Sequence, residues 1–258
     1  MKTGATIVIL GGLVVLAGCS RPKTTPAPQA TAHGTALVEV SGGKQVTQEG
    51  MPLDQAVVVQ VNDAQNNAVV GAAVAFRGPA GVSFNPASGL TDSSGQLSTV
   101  VTLGGVAGRY AIRATTTDAG GKSVELKLEE IALGYQQTLG RELNRQYCSR
   151  CHDPESTRER VSNYDNLTTK PHACNEGDTL NKMSDADLVA IISHGGPALN
   201  KSPEMPPFGY TLSKSDIQAL ISYIRAVADP PYLFGWRRVC EELVPWRGRC
   251  LSWRRLHP

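Results

Sequence analysis

Two thiols and an imidazole stand in the order Cys148-Ser149-Arg150-Cys151-His152, a spacing with chemical meaning. On a helix the two cysteines lie about one turn apart, so both sulfurs can meet one flat partner while the adjacent imidazole faces its centre. C-x-x-C-H is the attachment pattern of a c-type haem: each thiol forms a thioether to a vinyl group, and the histidine binds the iron axially. The competing readings are a disulfide pair or half of a zinc site. Zinc needs a second ligand pair at similar spacing, and the nearby His172 and Cys174 come without a second C-x-x-C. One covalent haem c on Cys148, Cys151 and His152 is the expectation.

A second axial ligand is sought downstream. Met205-Pro206-Pro207-Phe208-Gly209 resembles the sixth-ligand loop of class I cytochromes c, and the resemblance implies Met205 as the distal ligand. The chemistry suits that role, because a thioether is soft and neutral, and paired with imidazole it favours ferrous haem. The prolines fix φ and extend the loop in advance. Rival ligands are Met183, just before a helix cap, and His172 and His194, the latter in a glycine loop. Gly140 and Leu143 stand where the same family carries a Gly and a Leu on its first helix. Asn144 occupies the place of the usual aromatic, with Tyr147 beside Cys148, so a rearranged contact between first and last helices is expected. The family's proline carbonyl that holds the proximal imidazole has no clear counterpart between Asp153 and Lys170. Pro154 and Pro171 are poor substitutes, which leaves the partner of His152 unassigned.

The elements that must position these groups are helical. Ser184-Asp-Ala-Asp187 precedes Leu188–Ile192, and Ser213-Lys-Ser-Asp216 precedes Ile217–Val227; each S-x-x-D is a capping pattern before an apolar run. In the last helix Ile217, Leu220, Ile221, Ile224 and Val227 form a core-facing stripe. Tyr223 is expected at the crossing with the first helix.

Before Leu133 the periodicity is two rather than 3.6, with turn signals at short intervals. Gln55–Val61, Val69–Phe76, Ser98–Leu103, Arg109–Ala114 and Val124–Leu128 read as strands of a β-sandwich. Val59-Gln-Val-Asn-Asp63, Val70-Gly71 leading to Val74-Ala-Phe76, Thr91-Asp92 with Gly95, and Gly105-Val-Ala-Gly108 with Tyr110 and Ala114 resemble the bacterial Ig-like repeats of the invasin and intimin family. The resemblance implies a structural role, as spacer or interaction module, with adhesion as a further family function.

At the N-terminus Met1-Lys2 and the apolar run Ala5–Ala17 form a signal-peptide pattern too short to span a bilayer comfortably. The run ends Leu16-Ala17-Gly18-Cys19, which resembles the bacterial lipobox and implies a lipid on Cys19, hence anchorage by acyl chains. Ser20, in place of Asp, implies outer-membrane sorting in such lipoproteins. Arg21–Thr35 is Pro- and Thr-rich and makes a tether. After Pro231 come Trp236, Trp246 and Trp253 with several arginines, a basic aromatic tail suited to a membrane interface or an acidic partner, or an unstructured extension. Cys174, Cys240 and Cys250 remain beyond the assigned thiols. Cys240 with Cys250 is the expected disulfide because their loop is short.

The division is thus 1–18 signal peptide, 19–35 tether, 36–131 all-β Ig-like sandwich, 132–231 all-α cytochrome c domain and 232–258 tail. The 258 residues suffice for two modest domains, and a formal net charge of +2 gives no nucleic-acid footprint. The expected function is a lipid-anchored monohaem electron carrier, not an enzyme, exchanging single electrons with redox proteins in the bacterial cell envelope. Its place is expected to be the outer membrane facing the periplasm, with the cell surface as the alternative. A haem enzyme or gas sensor with an open iron, and an adhesion or scaffold lipoprotein, are the alternative functions.

Overall fold

The structure, a computed structural model, describes residues 32–158 and 160–233. Nine strands come first: β1 (Ala36–Ser41), β2 (Val46–Gln48), β3 (Val57–Asn62), β4 (Ala73–Arg77), β5 (Ser83–Asn85), β6 (Ser88–Leu90), β7 (Gln96–Thr102), β8 (Gly108–Thr117) and β9 (Ser123–Leu133). They form two sheets, β1-β3-β7-β5 and β2-β9-β8-β4-β6. All pairings are antiparallel except β2 with β9.

Alternation places one face of each sheet inward. Val57, Val59 and Val61 of β3 and Val101 of β7 meet Val74 and Phe76 of β4 and Ile112 and Ala114 of β8 in one core. Carboxylates close the turns: Asp63 accepts from the amides of Gln65 and Asn67, and Asp92 from those of Ser94 and Gln96. These bonds hold the Asp63 carboxyl below its usual range. The expected strand Val69–Phe76 is shorter than its apolar run. The buried Thr91 hydroxyl accepts from Ala72 N–H and donates to Val69 C=O, and Gly71 turns at φ +75°, so pairing starts at Ala73.

The helical part follows Gly134 directly. It contains α1 (Tyr135–Leu143), a π-helical turn (Asn144–Cys148), α2 (Ser149–His152), α3 (Gly177–Leu180), α4 (Asp185–His194) and α5 (Lys214–Val227). Among the described residues its regular elements are helical, apart from an isolated bridge between Glu176 and Asp229. Both expected caps form: Ser184 and Ser213 accept from the amides of Asp187 and Asp216, whose carboxylates in turn accept from the cap amides. The stripe Ile217, Leu220, Ile221, Ile224 and Val227 is buried.

The crossing of α1 on α5 is set by Gly140. A Cβ there would lie 2.0 Å from Ala219 O and 2.7 Å from the Cβ of Tyr223, so only glycine admits this approach. Tyr223 thus sits at the crossing, as its place in the sequence suggests. Tyr147 packs edge-on against Phe208, ring centroids 6.1 Å apart.

Candidate functional site

The thiols and the imidazole lie on the π turn and on α2. This short helix would leave its last carbonyls without partners. The loop after it folds back to supply them: Arg160 donates to Ser149 O at 3.1 Å and to the Asp153 carboxylate at 2.7 Å, and Asn163 N–H donates to Arg150 O at 2.7 Å. The side chain of Arg160 is largely buried, whereas the Asp153 carboxylate keeps about half its exposure, so the bonds to main-chain oxygens matter more here than the charge pair. Nothing in the local sequence pattern marked Arg160 or Asn163.

His152 Nδ1 lies 2.6 Å from the backbone oxygen of His172. A carbonyl only accepts, so Nδ1 carries the proton and Nε2 keeps a free lone pair. The imidazole's partner is thus the main-chain oxygen of the residue that follows Pro171. The ring of His172 points elsewhere, 3.0 Å from the Glu176 carboxylate, which also accepts from Thr179. Those contacts hold the Glu176 carboxyl below its ordinary value.

Cys148, Cys151 and Cys174 are free thiols. Burial pushes the Cys148 thiol up to about 12, with the Cys151 sulfur adding to the rise. Burial likewise raises the Cys174 thiol far above the usual thiol range. Among the described residues no group of three or more His, Cys, Asp or Glu is arranged to hold a metal ion. Cys19, Cys240 and Cys250 lie outside the described residues, as do the signal-peptide, lipobox and basic-tail readings.

Met205 packs in the same apolar cluster as Cys148, Leu143, Tyr147 and Phe208, together with Leu188, Ile217 and Leu220. Its loop is stitched to the end of α4: Gly196 N–H donates to Met205 O, Phe208 N–H to Ile192 O and Gly209 N–H to Ser193 O. Gly195 makes the approach feasible, with φ +81° and a notional Cβ only 2.7 Å from Met205 O. Glu204 next door accepts from the amides of Thr168 and Thr169, which fastens the loop to the segment before His172.

The rival ligands part company here. His194 ends α4, exposed, and lines a pocket with Val189, Gly209, Lys214 and Ile217. Met183 shares the apolar cluster of Met205, and its carbonyl is held at 2.7 Å by Arg225. Arg225, 9% exposed, also binds Leu180 O and the Asp185 carboxylate, tying α5 to the start of α4. It too escaped the sequence pattern.

This donor set fits a c-type haem. Two free thiols stand one turn apart, an imidazole offers a committed Nδ1 and an open Nε2, and a soft thioether lies in the apolar cluster that holds one of the thiols.

Residues 136–224 match the family described as cytochrome C oxidase, cbb3-type, subunit III. This segment is similar to the c-type cytochrome domains of that family, and a cytochrome c domain implies haem c. Among solved structures, the D00-D0 domain of intimin is 14% identical with a TM-score of 0.28, covering 43% of this chain and 51% of its own. The D0-D1 domain of intimin is 18% identical with a TM-score of 0.30, covering 40% and 49%. Invasin, described as a bacterial integrin-binding protein, is 18% identical with a TM-score of 0.28, covering 38% and 19%. The chain spans about half the length of the intimin structures it matches. No curated protein matches the sequence.

Proposed function

We propose that the protein is a lipid-anchored electron carrier: a monohaem c-type cytochrome domain joined to an Ig-like domain that acts as spacer or interaction module. The observation that carries this reading is the 2.6 Å bond from His152 Nδ1 to His172 O, which leaves Nε2 open beside two free thiols. Cys148 and Cys151 would hold the group covalently, and the His152 imidazole and the Met205 thioether would bind its iron. A bound haem c supplies a one-electron Fe(III)/Fe(II) couple. The protein's own part is to fix the imidazole, to keep water from the iron with the apolar cluster around Met205, and to offer a surface for brief contact with redox proteins.

A carrier needs both axial positions filled, whereas an enzyme or gas sensor needs an open one with a polar group nearby. Of the two histidines offered for that second role, the His172 ring is held by Glu176, and His194 is exposed at the end of α4. Mass spectrometry of the intact protein tests attachment, with one haem expected. Optical spectra test ligation: low-spin reduced iron indifferent to carbon monoxide supports the carrier, and ready carbon monoxide binding overturns it.

For the cellular place, the lipobox pattern ending at Cys19 supports anchorage by acyl chains. Cys19→Ala should release the protein from membranes into the aqueous phase of a detergent partition. Retention of the variant after salt and alkali washing would assign anchorage to another segment. An outer-membrane position facing the periplasm is the corresponding proposal for location.

A further inference from the structure

The junction between the two folded parts leaves little freedom. β9 ends at Leu133 and α1 begins at Tyr135, with Gly134 alone between them. Ile131, Leu133 and Val227 form a shared apolar cluster with Val46, Tyr223 and Ala226. Arg141 of α1 donates to Val46 O at 3.0 Å. Lys44 meets Asp229 at 3.2 Å, but both side chains are exposed and the pair adds little.

The informative contact is Arg109, at the start of β8. Its guanidinium pairs with Glu129 of β9 and donates to the carbonyls of Ala226 and Ala228, the last of which is wholly buried at the end of α5. A helix C-terminus leaves carbonyls unpaired and carries partial negative charge. Here the cation that answers both comes from the sandwich.

From that point hydrogen bonds run on to His152. Asp229, directly after Ala228, donates its N–H to Asn175 O at 2.7 Å and accepts from Gly177 N–H at 2.9 Å. Gly177 is pressed so close to the chain after α5 that a Cβ would lie 2.2 Å from Pro230 O. Glu176, between those two residues, holds the His172 ring, and His172 O accepts from His152. A cavity of about 450 Å³ runs alongside, with Arg109 and Glu129 on its sandwich wall and His152, Cys174 and Tyr223 on its helical wall.

We infer that Arg109 is a positioning residue for His152: the sandwich holds the end of α5, and through it the 172–177 loop whose carbonyl orients the imidazole. The Ig-like part is then a fixed wall behind the proximal side of the haem domain rather than a free-swinging spacer. The effect on the iron rests on the reading of His152 as an axial ligand, whereas the effect on the loop does not.

Two readouts separate these levels in the full chain. Hydrogen exchange at the amides of Gly177 and Asp229 reports the loop directly, and the midpoint potential reports the iron. Arg109→Gln should speed exchange at both amides at least tenfold and shift the potential. Arg109→Lys keeps the charge but loses the fork that spans two carbonyls and a carboxylate, and should fall between Gln and wild type. Arg113→Gln is the control, because Arg113 sits on the same strand in an exposed pair with Glu125; it should change neither readout. A folded Arg109→Gln variant with wild-type exchange at Gly177 and Asp229 overturns the inference. If that variant does not fold, wild-type exchange in Arg109→Lys overturns it instead. Changed exchange with an unchanged potential would confine the role of Arg109 to the loop and remove His152 from it. An intact mass without haem would defeat the electron-carrier reading while leaving the exchange result standing.

Discussion

His152 Nδ1 and the carbonyl oxygen of His172 stand 2.6 Å apart, and this bond decides which ring nitrogen can face a metal. The acceptor is main chain, so it survives loss of the His172 side chain. His172→Ala should therefore leave the optical spectrum of the haem unchanged, while releasing the Glu176 carboxylate from the ring that now helps hold its pKa down. Loss of the low-spin spectrum in this variant would make the His172 ring a ligand and defeat the assignment.

Met205→Ala should keep the haem attached, since the thiols and His152 are untouched, yet open the iron. The expected signs are loss of the Fe(III)–thioether charge-transfer band, a lower midpoint potential and new carbon monoxide binding. A parent-like spectrum would redirect the search to Met183, which lies in the same apolar cluster.

Two glycines carry backbone approaches that side chains would block. Gly140→Ala should cost about 1–3 kcal/mol by forcing α1 away from Ala219. Gly195→Ala should cost about as much, because φ +81° is strained for any L side chain and the added carbon meets Met205 O. The two differ in a second measurement: Gly195→Ala should also weaken methionine ligation in the ferric spectrum, and Gly140→Ala should leave it intact. Urea denaturation supplies the stabilities.

Glu130 is a wholly buried carboxylate of β9 with one oxygen bonded to Gln45 N–H and the other without a partner. Burial, with a smaller push from the neighbouring carboxylates Glu39 and Glu129, raises its pKa from 4.5 to about 7 against the pull of the Gln45 and Lys44 amides. The folded state thus holds a proton that the unfolded chain releases near 4.5. Stability is full below that pH and falls as pH rises to about 7. Glu130→Gln should remove this fall, matching wild type near pH 4.5 and exceeding it by roughly 3 kcal/mol well above pH 7. Parallel stability curves for the two proteins between pH 4.5 and 8 would show that Glu130 does not titrate there.

Features whose signal is local were legible along the chain. Cys148, Cys151 and His152 are neighbours along the chain, and the S-x-x-D caps act over a single turn. The α5 stripe and the alternation in β3, β7 and β8 are periodic, so type and face could be read without knowing what lay opposite. The short strands β2, β5 and β6 contain too few residues for a period, and the start of β4 depends on a hydroxyl nineteen positions away. Only the tertiary structure brought the His172 carbonyl to His152, Arg160 to the motif turn, Arg225 to the carbonyls before α4 and Arg109 to the end of α5. These are bonds from long side chains or an imidazole to main-chain oxygens distant in sequence. Every residue carries the same carbonyl, so residue types cannot encode which one is used; the packing of elements distant in sequence sets that choice.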